Sequence, residues 1–226
     1  VDAVLLAAAV PAGLRSGADV LDLGAGVGTV GLSAARRIGQ IHVTLVEAEP
    51  ALAAIAAENI ARNGLSGRAR TVTADVTAPG RSLDLVGLPA ETFACVVANP
   101  PFHAEGQGTR AAAELKAAAH TMPEDMLERW VRAMARHAAP GGTAIMVHKA
   151  EAIGQVLAAF APRFGALRIL PIYPRADASA IRVIVSGVKG SRAPLEVRAG
   201  LVLHADGNGF TPEAASILKS GGGLAL

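Results

Sequence analysis

Aromatic side chains are scarce in this chain, with one tryptophan, one tyrosine and five phenylalanines among 226 residues, while alanine is abundant. Cysteine is nearly absent. The single Cys95 falls inside an apolar stretch, which excludes a disulfide framework and a cysteine metal site and implies a reducing compartment. No apolar run approaches the roughly eighteen residues of a membrane span, and no charged-then-apolar signal pattern opens the sequence, so a cytoplasmic protein with no membrane partner is expected. Internal repeats and low-complexity tracts are also missing. The sequence starts at Val1 without a methionine, so an upstream stretch is expected.

About half of the residues are apolar, ample for one α/β domain with a single core. Charge is unevenly spread. Between Phe160 and Gly200 stand Arg163, Arg168, Arg175, Arg182, Lys189, Arg192 and Arg198 against only Asp177 and Glu196, a balance of +5 in a chain of net +2. Such a stretch suits a phosphate-rich partner, although separately solvated arginines on sheet edges would look the same.

The most informative stretch is Val20-Leu-Asp-Leu-Gly-Ala-Gly-Val-Gly-Thr-Val-Gly31. An apolar strand over Asp19 to Leu23 runs into Gly24, Gly26 and Gly28, and an apolar periodic helix follows over Thr29 to Ile38. Glycines permit positive φ and let a ligand rest on bare backbone. The helix behind them aims free N–H groups and its positive dipole end at the loop. A nucleotide-type cofactor site is expected there. The spacing is not the dinucleotide pattern G-x-G-x-x-G, and Asp22 stands two positions before the first glycine, where a carboxylate suits an ammonium group better than a pyrophosphate. The next strand, from His42 to Val46, ends at Glu47, placed to accept ribose hydroxyls. A third strand over Ala69 to Ala74 delivers Asp75 to the carboxyl edge, where ligands of open α/β sheets bind.

A fourth strand, Phe93 to Ala98, ends in Asn99-Pro100-Pro101-Phe102. The prolines stiffen the backbone and remove two N–H donors, so the Pro100 carbonyl and the Asn99 amide oxygen are available as fixed acceptors. Such a pair grips both hydrogens of a planar NH₂ group. It favours the tetrahedral nitrogen whose lone pair can attack an electrophile, which is stabilisation of charge that develops only in the transition state. Phe102 would stack on the base, a contact worth roughly 1–3 kcal/mol. No general base is needed, because the proton can leave after transfer, and His103 reads as a wall of the site rather than a base.

The remaining chain reads as a short helix from Asp2 to Val10, a helix from Ala51 to Asn63 closed by Gly64, and a helical turn around Ser82 to Leu88. Ala104 to Thr121 reads as a candidate lid. A helix over Asp125 to Ala139 carries Trp130 as core packing. Pro140-Gly141-Gly142 turns into a fifth strand from Thr143 to His148, and a helix from Glu151 to Phe160 leads to strands at Ala166 to Tyr173 and Ile181 to Val188. The expected architecture is an α/β three-layer sandwich with a seven-stranded, mostly parallel sheet and an antiparallel end. Residues 1–190 form this domain. Residues 191–226 form an extension packed on it, with a strand at Val197 to Leu203 and a short helix ending at Lys219.

The motif Asp22-Leu-Gly-Ala-Gly-Val-Gly28 with Glu47 resembles the S-adenosylmethionine site of class I, Rossmann-like methyltransferases. In order of parts the chain is similar to the bacterial tRNA1(Val) adenine-N6 methyltransferases, relatives of the ribosomal guanine-N2 enzymes. The likeness covers Asp2 to Ala8, Val20 to Gly28, Asn99 to His103 and the tail from Pro171 to Pro212, including Ala180-Ile-Arg-Val183, Lys189-Gly-Ser191 and Leu203-His204. That family has residues upstream of this Asp2 which help close the cleft. The resemblance implies S-adenosylmethionine as cofactor, held by Asp22, Gly24, Ala25, Gly26, Gly28, Glu47, Asp75, Val76 and Asn99. Asp75 would accept from the exocyclic amine of the cofactor adenine, with Val76 packed on the ring. Catalysis would rest on Asn99, Pro100, Pro101 and Phe102, without a metal. It also implies tRNA as substrate, methylated at N6 of an adenine beside the anticodon; monomer and homodimer remain open. Guanine N2, DNA adenine and a protein glutamine amide are the neighbouring substrate readings. A nicotinamide oxidoreductase is disfavoured by the glycine spacing, and a non-catalytic RNA-binding module is the reading of another class.

Overall fold

The computed structural model describes residues 1–101, 125–207 and 209–226. In chain order the elements are α1 (Asp2–Ala9), β1 (Asp19–Leu23), α2 (Thr29–Arg37), β2 (His42–Glu47), α3 (Pro50–Arg62), β3 (Ala69–Thr73) and α4 (Gly80–Leu85). Then come β4 (Phe93–Ala98), α5 (Met126–His137), β5 (Ala138–Lys149), a 3-10 turn (Ala150–Ala152), α6 (Ile153–Phe160), β6 (Phe164–Tyr173) and β7 (Arg182–Lys189). Two short strands, β8 (Glu196–Val197) and β9 (Leu201–Val202), precede α7 (Pro212–Ser220). No described helix is long and apolar enough to cross a membrane.

These strands form one sheet in the order β3-β2-β1-β4-β5-β7-β6-β8, with β9 also on β6. β1 to β5 run parallel, and β7 is inserted antiparallel between β5 and β6. The parallel part therefore brings Leu23, Glu47, Thr73, Ala98 and Lys149 to one edge. Side chains alternate between the two faces. Val20, Cys95, Val97, Ile145 and Val147 join one apolar layer with α1, α2, α3 and α7, while Leu21, Leu23, Val96, Ala98 and Met146 join the other with α4, α5 and α6. Helices thus cover both faces, giving the expected three layers. Burial pushes the Cys95 thiol up to about 12, so it is an inert core group.

Two expectations for the sheet need correcting. The fifth strand starts at Ala138 rather than Thr143, because Pro140 to Gly142 is an in-strand irregularity and not a turn before the strand. Phe93 pairs with Ala138 but Cys95 with Thr143, and the surplus is absorbed where Gly141 adopts φ +76°. The strand expected over Val197 to Leu203 is divided into β8 and β9. Ile169 pairs with Val197 and Ile172 with Leu201, so the outer chain carries one extra residue, and Gly200 lies where any side chain would collide with Tyr173. Among the described residues the sheet consequently has nine strands instead of seven. The segment after residue 190 adds two of them, and its Leu201, Leu203, Ala214 and Ile217 share the core of α1 and α2. α7 begins with Pro212, and the Thr211 Oγ1 accepts the Ala214 N–H at 3.2 Å as its cap.

Candidate functional site at the carboxyl edge of the sheet

β1 leaves the sheet at Leu23, and Gly24, Gly26 and Gly28 all take positive φ, at +67°, +56° and +89°, before α2 begins at Thr29. Non-glycine residues adopt this conformation only at a cost, so the turn needs these glycines. Their lack of side chains serves different neighbours. A Cβ on Gly26 would meet nothing within 4 Å, so that position faces open space and is available to a ligand. Gly24 instead makes room for protein, since a Cβ there would run into Trp130 Cη2 of α5. Gly28 packs against Leu45 and Leu32. Ala25, 8% exposed, donates its N–H to the Val46 carbonyl at 2.9 Å, which ties the loop to β2.

Glu47 ends β2 beside this loop. One carboxylate oxygen accepts the Gly26 N–H at 2.8 Å and the other accepts the Glu49 N–H at 2.9 Å. A carboxylate has about four acceptor directions, so two remain for hydroxyl donors. Asp75 is exposed just past β3, and its Oδ1 accepts both the N–H and the hydroxyl of Thr77 at 2.8 Å. Val76 behind it is 6% exposed.

Asp22 is not where the sequence puts it. Alternation along β1 turns its side chain towards α2, where Oδ2 accepts the Gly31 N–H at 2.8 Å and the group is 1% exposed. Its observed partner is the first turn of α2, not an open position for an ammonium group. Burial pushes this carboxyl up to about 7; the Gly31 hydrogen bond opposes that and the Glu47 charge adds to it. An acid raised in the folded state contributes most to stability at low pH, and that contribution is lost as pH rises from its unfolded value near 3.8 through about 7. The gain in melting temperature of Asp22→Asn over the wild type is therefore expected to grow between pH 5 and pH 8. A pH-independent difference in thermal melts would show that this carboxyl is ionised throughout.

β4 ends one strand away, with Leu23 paired to Ala98. Asn99 follows directly, half-buried, with Pro100 buried and Pro101 exposed. The Asn99 Oδ1 is buried and has no hydrogen-bond partner among the described residues. Buried acceptors are nearly always paired, so this one calls for a donor beyond the described residues. Phe102, His103 and the candidate lid over 104–121 lie outside the described residues.

One contributor was missed at the sequence level. The Asn59 amide on α3 donates to the Val27 carbonyl at 3.0 Å, a second tie on the glycine loop besides Glu47, while the Asn63 amide donates to the Asn59 carbonyl at 2.8 Å. Asn63 does cap α3, but nothing local in the sequence signals the reach of Asn59 across to Val27.

The fold aligns with the crystal structure of a predicted O-methyltransferase from Agrobacterium tumefaciens at a TM-score of 0.83 and 30% identity, covering 100% of this chain and 99% of that one. Fold and glycine loop together define the class I S-adenosylmethionine-dependent methyltransferase architecture. The family described as methyltransferase small domain matches residues 3–159, and the chain belongs to that family. Among curated relatives, a tRNA1(Val) (adenine(37)-N6)-methyltransferase of Shewanella sp. is 31% identical over 136 residues, 60% of this chain and 47% of that protein. A ribosomal RNA small subunit methyltransferase C of Pseudomonas entomophila is 37% identical over 91 residues, 40% of this chain and 24% of that protein. The chain thus spans about half the length, or less, of the curated relatives it matches.

The residues present fit the methyl donor of this class. The open face at Gly26, the spare acceptor directions of Glu47 and the unpaired Asn99 oxygen line one edge of the sheet. That edge offers space, carboxylate acceptors and an amide oxygen unpaired among the described residues.

Proposed function

We propose that this chain is an S-adenosylmethionine-dependent N-methyltransferase acting on an exocyclic amine of an RNA base, with N6 of a tRNA adenine as the target. The observation that carries the reading is the Asn99 Oδ1, buried without a partner among the described residues and one strand away from the glycine loop. The relatives named as tRNA adenine-N6 and ribosomal RNA methyltransferases support RNA as the substrate class.

In this reading Gly24 to Gly28, Glu47, Asp75 and Val76 hold the cofactor, which supplies an electrophilic methyl group. Asn99 Oδ1 and the Pro100 carbonyl accept the two hydrogens of the amine. An amine conjugated to a purine is a weak nucleophile because its lone pair is delocalised into the ring. Two acceptors fixed in advance draw the N–H bonds out of conjugation, localise the pair and stabilise the positive charge that builds on nitrogen. Pro101 keeps the corner rigid, so little reorganisation accompanies the reaction. The proton then leaves from the methylated, more acidic nitrogen. Bases in tRNA loops are partly unstacked, which lowers the cost of extruding one.

The test is incubation of the chain with labelled S-adenosylmethionine and total tRNA, followed by nucleoside mass spectrometry. N6-methyladenosine is the expected product. Label appearing only as N2-methylguanosine, in DNA, in a glutamine amide or as an O-methyl product would replace the adenine assignment. No transfer to any of these would remove the catalytic one.

A further inference from the structure

The geometry points to the trough between α2, α3 and α7 as a surface that tracks the phosphate backbone of the RNA substrate, an inference that rests on the nucleic-acid reading above. The basic stretch from Arg163 to Arg198 does not offer a free cationic strip. Arg163 pairs with Glu128 at 2.5 Å, Arg182 with Asp2 at 2.8 Å and Lys189 with Glu91 at 2.9 Å, while Arg168 and Arg198 both approach Glu196 at 3.4 Å. Five of its seven cations are thereby ion-paired within the fold, two of them sharing Glu196, and Arg175 donates to the Ala205 carbonyl.

The trough is different. It encloses about 650 Å³ and is lined by Arg36, Arg37 and Lys219 with no carboxylate among its walls. Arg37 spends part of its guanidinium on the carbonyls of Ala7 and Val10 at the end of α1. Arg36 is exposed and has no ion-pair or hydrogen-bond partner among the described residues, and Lys219 has only the Phe210 ring, 5.7 Å from its Nζ. Cations held close together without a counter-charge repel one another, and an arriving anion relieves that repulsion. Asn63 and Ser33 add neutral hydrogen-bonding groups to the wall, and Val4 and Ile217 give it an apolar floor. A charged rim over an apolar floor suits a sugar-phosphate strand, whose oxygens need donors while its ribose carbons need none.

Position supports the same occupant. Val27 and Thr29, which flank Gly28 of the glycine loop, belong to the wall of the trough. The larger part of its wall, from Val4 to Asn63, lies within the matched family region, and the part from Ile217 to Gly221 lies beyond it. A strand lying here would hold the substrate next to the glycine loop through a segment that lies beyond the matched family domain.

The experiment uses the full chain with a fluorescently labelled anticodon stem-loop RNA, with binding followed by anisotropy across a salt series and no turnover required. Arg36→Glu combined with Lys219→Glu is expected to weaken RNA binding at least roughly ten-fold at 0.1 M salt and to flatten the slope of log K against log salt by about one to two. Affinity for S-adenosylhomocysteine and the melting temperature should stay at wild-type values, and Arg36→Gln alone should give a smaller loss of the same sign. Charge reversal at Arg198, within the paired stretch, is expected to have little effect. Wild-type affinity and slope in the double variant would overturn the assignment, as would absence of RNA binding by the wild type. N6-methyladenosine formation with unchanged binding in the double variant would sink the trough alone. Groove-dependent RNA binding without any methyl transfer would sink the catalytic reading alone.

Discussion

Asn99→Ala is expected to lower turnover by about 10²–10³-fold, the usual cost of deleting one preorganised acceptor or donor that acts on developing charge. Affinity for S-adenosylhomocysteine should stay near wild type, and the melting temperature should be unchanged or higher. The last point separates this substitution from an ordinary core defect. An unpaired buried acceptor costs about 1–3 kcal/mol in desolvation, and removing it returns that penalty to the fold. Asn99 Oδ1 is such an atom. Loss of activity with retained or improved stability marks a group kept for chemistry at the expense of folding. Steady-state kinetics paired with thermal melts checks both halves. Full activity in Asn99→Ala would refute the acceptor-pair mechanism, and a large fall in melting temperature would show that the oxygen has a structural partner.

Glu47→Ala should weaken S-adenosylhomocysteine binding by about 10- to 100-fold, because a hydrogen bond to a charged group is worth roughly 1.5–3 kcal/mol. In the absence of ligand the same carboxylate fixes the Gly26 N–H, so the variant loses both a ribose acceptor and one anchor of the loop. Glu47→Gln retains one acceptor oxygen and should fall between the two. Calorimetric titration reads this directly, and turnover at saturating cofactor should fall much less than affinity. Equal affinity in wild type and Glu47→Ala would mean that the ribose lies elsewhere. The substitution has an electrostatic echo. Glu47 contributes to raising the Asp22 carboxyl, so its removal should move the pH dependence attached to Asp22 towards lower pH.

Much of this arrangement is written locally. Strand β4 has the bounds read from its apolar run, and the glycine loop is placed by a strand, three glycines and a periodic helix within some twenty residues. Where short-range pattern decides, sequence is sufficient. Asp22 shows the limit. Its position follows from the motif, but its burial under Gly31 depends on which face of β1 α2 covers, and that is a property of packing. The arginines make the same point over longer range. Arg163 finds Glu128, Arg182 finds Asp2 and Lys189 finds Glu91 across 35, 180 and 98 positions, so a charge count along the chain records a positive stretch that the fold has largely cancelled. Arg36 and Lys219, without a carboxylate partner among the described residues, are unremarkable in sequence and come to line one trough only through the fold.

The contact between Trp130 and Gly24 gives the molecule a built-in optical reporter. Trp130 is the sole tryptophan, it is 7% exposed, and its indole rests where a Gly24 side chain would begin. Light absorbed and re-emitted by that ring samples the polarity and mobility of the loop at its back, with no second indole to dilute the signal. The helix that carries it also turns the loop into a mechanical neighbour of α5, so a disturbance on either one is registered by the other.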